Sequence, residues 1–160
     1  MKKRQVSFEV LVYDSFKDLP SEDQHLMTVA IEAREKAYAP YSNFYVGAAV
    51  YLSNGRIISG NNQENAAYPS GLCAERVTIF YAASQYPQAQ MKRMAISASS
   101  QSQVVKTPVA PCGNCRQTLA EYENKQQEPI EILFMGQEGQ VIKCNSISNL
   151  LPFAFDGSLL

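Results

Sequence analysis

Tyr45-Val46-Gly47-Ala48-Ala49-Val50-Tyr51-Leu52-Ser53-Asn54-Gly55-Arg56-Ile57-Ile58 sets two apolar runs on either side of an Asn-Gly pair. Asn-Gly readily adopts the left-handed backbone of a tight hairpin, so the runs read as two antiparallel strands. Downstream, residues 61–71 are polar and punctuated by Pro69 and Gly71, a loop that leads into a helix from Cys73 to about Ala83. Met94 to Ala98 reads as a short buried strand, and residues 99–107 as a polar loop. After Pro111, residues 112–123 predict a second helix with Leu119 and Tyr122 inward. Ile130–Met135 and Val141–Cys144 are strands joined through Gln137-Glu138-Gly139, and residues 147–151 suggest a final short helix.

Upstream of the hairpin, Val6, Phe8, Val10 and Val12 alternate with Ser7, Glu9 and Leu11, which predicts an N-terminal strand with one lapse in its period. Asp18-Leu19-Pro20-Ser21 stops that strand. Ser21 and Gln24 read as a capping box for a helix carrying Leu26, Val29, Ala30, Ala33 and Ala37, which Pro40 ends. Helices alternating with strands give an α/β fold: a three-layer α/β/α sandwich around a central mixed sheet of about five strands. With 160 residues, 46% of them hydrophobic, the chain is expected to form a single domain over 1–160, with an N-terminal extension at about 1–20.

Charge narrows the function. Formal net charge is -1, the pI is near 5.8, and no basic run extends beyond Lys2-Lys3-Arg4, so a nucleic-acid partner is not expected. No long apolar run suits a membrane span, and the first residues lack the apolar core of a signal peptide, so a cytoplasmic protein acting on a small molecule is expected. The four cysteines, in such a setting, suggest metal or redox chemistry before disulfides.

Cys73-Ala74-Glu75 and Pro111-Cys112-Gly113-Asn114-Cys115 carry that chemistry. Cys73, Cys112 and Cys115 are candidate Zn²⁺ ligands, and three protein ligands leave one tetrahedral position open to water, as in catalytic zinc sites. Each cysteine group opens a predicted helix, whose unpaired N–H groups and dipole favour thiolates. Arg76 and Arg116 follow the cysteines closely, and one of them could donate to a coordinated sulfur and neutralise thiolate charge. Glu75, on the first turn beside Cys73, could take a proton from water at the open position and return it to a ring nitrogen and a departing amine. Zinc deaminases show a His or Cys two residues before a glutamate, then Pro-Cys-x-x-Cys, and the chain carries the three-cysteine form. Two rivals stand beside this reading. Cys112-x-x-Cys115 alone has the spacing of a redox pair, and Cys144 as a fourth ligand would close a structural zinc in a non-catalytic binding module.

From Ala37 to Phe155 the chain resembles the small cytidine deaminase family. The matching segments are Tyr41-Ser42-Asn43-Phe44, Val46-Gly47-Ala48-Ala49, Asn62-Gln63-Glu64-Asn65, Tyr68-Pro69, Cys73-Ala74-Glu75-Arg76, Pro111 to Gln117 and Leu150-Leu151-Pro152. The resemblance implies hydrolysis of cytidine and deoxycytidine to the uridine forms in pyrimidine salvage, with a nucleoside analogue as an alternative substrate. It implies that Asn62 and Glu64 bind the ribose and that Phe44 packs on the nucleoside. It also implies a homotetramer with shared active sites: Ala66 and Tyr68 would line the subunit boundary, and Phe155, with Phe153 as the alternative, would reach a neighbouring site. The chain departs from the family at Gln63, usually aliphatic, at Ala67, usually Cys, Ser or Thr, and in its longer N-terminus.

Overall fold

A computed structural model describes residues 1–159. Its regular elements are β1 (Leu11–Tyr13), α1 (Ser21–Arg34), β2 (Phe44–Leu52), β3 (Ile57–Asn61), α2 (Ala74–Gln85), β4 (Met91–Ser100), α3 (Gly113–Gln126), β5 (Glu131–Met135) and β6 (Val141–Cys144). The strands form one six-stranded sheet in the order β1-β6-β5-β4-β2-β3. Only β4 and β5 run parallel; the other neighbours are antiparallel, which makes the sheet mixed.

Strand side chains alternate between two faces, and each face is apolar because helices cover both. Ala48, Val50, Met94, Ile96, Ile132 and Phe134 pack with Ala74 and Ile79 of α2 and Leu119 of α3. Their sequence neighbours Ala49, Ala95, Leu133 and Met135 face the other way, onto Leu26, Met27 and Ala30 of α1. A three-layer sandwich results. Gly47 lets α1 approach the sheet backbone itself: a Cβ there would stand 2.0 Å from the Ala30 carbonyl oxygen and 2.4 Å from the Arg34 nitrogen.

The hairpin forms where Asn54-Gly55 places it. Gly55 has φ +82°, and the Leu52 N–H donates to the Arg56 carbonyl at 2.9 Å to close the turn. Several boundaries differ from the sequence reading. The N-terminal strand is confined to Leu11–Tyr13, paired with β6, and it brings the sheet to six strands where about five were expected. Ser21 makes no capping box: it is the first helical residue, Pro20 occupies the cap, and the Gln24 amide donates upstream to the carbonyls of Lys17 and Leu19. Helix α1 stops at Arg34, β4 extends over Met91–Ser100, and the final helix is a 3-10 turn at Ile147–Asn149.

Candidate active site

The β3–α2 and β4–α3 connections bring the first turns of α2 and α3 side by side. Cys73 and Cys112 are the residues that precede each helix, both in extended conformation, and Cys115 lies in the first turn of α3. Neither cysteine caps its helix with a side-chain hydrogen bond, so the sulfurs are free to converge. Cys73 Sγ lies 3.8 Å from Cys112 Sγ, which lies 3.5 Å from Cys115 Sγ, and all three are within 4.8 Å of one another.

Tetrahedral zinc, bound by sulfur at about 2.3 Å, sets its ligands about 3.8 Å apart, so the triad fits Zn²⁺. Hydrogen bonds from Cys115, then from Cys112 and Arg76, overcome burial and bring the Cys73 thiol down to about 5. Cys115 is pushed up by its hydrogen bond with Cys73 and by burial. Cys144 stands apart, fully buried in the core against α2 and α3, and the group of close potential ligands among the described residues is Cys73, Cys112 and Cys115. The closed four-sulfur site is therefore not formed. With Cys73 drawn in, the pair at Cys112 and Cys115 is part of a three-sulfur cluster and not an isolated redox pair.

Glu75 is in the first turn of α2 and 4% exposed. Burial raises its carboxyl above the ordinary carboxylate range, the direction expected for a group that holds and returns protons. The two arginines have different surroundings. Arg76 reaches towards the Gly71 carbonyl at 3.5 Å, and burial, which would discharge it, is outweighed by the neighbouring sulfurs, Cys73 first. Arg116 donates to the carbonyls of Pro111 at 2.7 Å and Leu150 at 2.9 Å, pinning the C-terminal tail to α3.

Asn62, Glu64, Tyr68, Cys73 and Arg76 line one open pocket of about 290 Å³, completed by Gln63, Asn65, Gly71 and Leu72. Asn62 holds the start of β2: its Oδ1 accepts from the Val46 N–H at 2.8 Å and its Nδ2 donates to the Phe44 carbonyl at 3.0 Å. Phe44, half-buried, opens β2 and is outside that lining, as are Ala66 and Phe155. Tyr68, Phe153 and Phe155 are 78%, 83% and 62% exposed, and Phe153 has φ +60°. Gln117 of α3 donates to the Phe155 carbonyl at 2.8 Å, so the tail runs beside the helix that carries Cys115. Ser42, which the sequence reading quoted without a role, donates its hydroxyl to Glu64 at 2.5 Å. Its signal was its place in the Tyr41–Phe44 segment.

A family model described as the cytidine and deoxycytidylate deaminase zinc-binding region matches residues 20–127. The cytidine deaminase of Halalkalibacterium halodurans is 40% identical over 132 residues, covering 82% of this chain and 92% of that protein. The cytidine deaminase of Sporosarcina psychrophila is 37% identical, covering 82% and 90%. Among solved structures, a cytidine deaminase from Burkholderia pseudomallei superposes with a TM-score of 0.71 at 36% identity, covering 86% of this chain and all of that one (100%).

Proposed function

The chain belongs to the cytidine deaminase family, and from that premise we propose that it hydrolyses cytidine and deoxycytidine to uridine and deoxyuridine with release of ammonia. The convergence of three sulfurs at zinc-ligand separations beside one buried carboxyl carries the reading. Cys73, Cys112 and Cys115 would hold Zn²⁺, which supplies a Lewis acid able to make water nucleophilic near neutral pH. Glu75 takes one proton from the attacking water and gives it to the ring nitrogen. It then takes the second from the new C4 hydroxyl and gives it to the amine, which leaves as ammonia as the C4–N bond breaks and the carbonyl forms. Its raised pKa suits both halves of that exchange. Arg76, charged beside Cys73, offsets thiolate charge.

Asn62 and Glu64 line the pocket next to Cys73 and bind the sugar, while Phe44 packs against the nucleoside. Burying such polar groups unpaired costs about 1–3 kcal/mol, so the free base is a poor substrate. The exposure of Tyr68, Phe153 and Phe155 supports a homotetramer in which Ala66 and Tyr68 lie at a subunit boundary and Phe155 completes a neighbour's pocket. Four unpaired cysteines support a reducing, cytoplasmic setting, and no helix among the described residues is long and apolar enough to cross a membrane. One domain over residues 1–160 would then serve pyrimidine salvage.

The test is to follow cytidine absorbance with the zinc-loaded protein and with Glu75→Gln. Glu75→Gln should retain zinc and lose at least about 100-fold in turnover. Full activity in that variant would remove Glu75 from the chemistry.

A further inference from the structure

Glu64 sits in the loop after β3, yet its carboxylate is held by the turn that enters β2. Its Oε2 accepts from the N–H groups of Tyr41 at 2.9 Å and Ser42 at 3.2 Å, and its Oε1 accepts the Ser42 hydroxyl at 2.5 Å. The same hydroxyl accepts from the Phe44 N–H at 3.0 Å. Phe44 is thus gripped on both sides, its N–H by Ser42 and its carbonyl by Asn62 Nδ2 at 3.0 Å. The turn itself is fixed: Asn43 adopts φ +52°, its N–H donates to the Ala39 carbonyl and its carbonyl accepts from the Gln101 N–H, both at 3.1 Å. Asn is among the few residues that visit this left-handed region readily.

We propose that Ser42 is a positioning residue of the sugar subsite, fixing the Glu64 carboxylate and the Phe44 backbone in one register so that Glu64 reads a single sugar hydroxyl. The inference rests on the reading of Glu64 as a sugar ligand given above. An ionised carboxylate has about four lone-pair sites. Tyr41, Ser42 N–H and Ser42 Oγ occupy three of them, which leaves one, on Oε1, for a donor in the pocket. The Ser42 hydroxyl, followed by the backbone N–H groups, also holds the Glu64 carboxyl below the usual carboxylate range, so it stays an acceptor. Without the hydroxyl, Oε1 is free to rotate, and the loss falls on sugar binding and not on proton transfer at Glu75.

The experiment compares the zinc-loaded full chain with Ser42→Ala, Ser42→Thr and Glu64→Gln, using cytidine, 2′-deoxycytidine and 3′-deoxycytidine. Ser42 is exposed, so its replacement by Ala leaves the core intact. Ser42→Ala should raise KM about tenfold for nucleosides that carry the hydroxyl read by Glu64, with kcat within about twofold. The analogue lacking that hydroxyl should show no such rise, and Ser42→Thr should restore the parental KM. An unchanged KM in Ser42→Ala, or an equal penalty on all three nucleosides, overturns the assignment. If Glu64→Gln itself fails to discriminate among the nucleosides, the sugar reading of Glu64 falls as well. Discrimination by Glu64→Gln with indifference in Ser42→Ala removes Ser42 alone.

Discussion

Lys143 Nζ lies 3.0 Å from Asp23 Oδ2, joining β6 to the first turn of α1 across 120 residues of sequence. Asp23 is 1% exposed in its side chain and also takes Arg93 Nη1 at 2.6 Å. Glu131 completes the group, 3.1 Å from Lys143 and 2.5 Å from Arg93. Removing one partner of a buried charge group leaves the others undercompensated, at a cost of about 3 kcal/mol. Lys143→Met should lose about that much in urea unfolding and still bind zinc when folded, because the network ties α1 to the sheet and includes no zinc ligand.

Glu131 gives this network a pH dependence. Burial would raise its carboxyl, but hydrogen bonds from Arg93 and Lys143 prevail and hold it below its ordinary value of 4.5. A carboxyl with a depressed folded pKa adds stability that is present above the unfolded pKa and is lost as pH falls through the folded one. The parent should therefore exceed Glu131→Gln in urea midpoint at neutral pH, and the gap should narrow as pH drops below 4.5. A gap independent of pH would show that the charge of Glu131 contributes nothing.

Gly47 is where α1 rests on strand backbone. With a Cβ 2.0 Å from a carbonyl oxygen, Gly47→Ala must lift the helix, which should cost about 3 kcal/mol. Gly157→Ala meets nothing within 4 Å among the described residues and should be neutral, so thermal melts of the two variants separate close packing from a generic effect of alanine.

Cys144 is buried in the core and outside the sulfur triad. Cys144→Ala should keep one zinc per chain by elemental analysis, with a modest loss of stability. Cys73→Ser or Cys112→Ser should lose the metal and the activity together.

Much of this was legible in the chain itself. The Asn54-Gly55 pair placed the hairpin because few residues besides Gly and Asn take its backbone readily, and the unbroken apolar run in β2 fits a strand covered on both faces. Cys73 and Cys112 showed their place ahead of two helices because chemistry and local structure require the same residues there. Other features depended on distant partners. The extent of β1 is set by its pairing with β6, where Leu11 meets Lys143, and the alternation at residues 6–12 cannot reveal that limit. The capping box failed because Pro20 starts α1 one residue early and Gln24 is spent on Lys17 and Leu19. The bond from Ser42 to Glu64 spans 22 residues of no common period, so only the folded chain brings it into view.

X-ray absorption at the zinc edge of the metal-loaded protein counts the sulfurs directly. Three sulfurs at about 2.3 Å and one lighter atom are expected, from Cys73, Cys112, Cys115 and a water or substrate oxygen. Four sulfurs would close the open position and contradict the proposed hydrolysis.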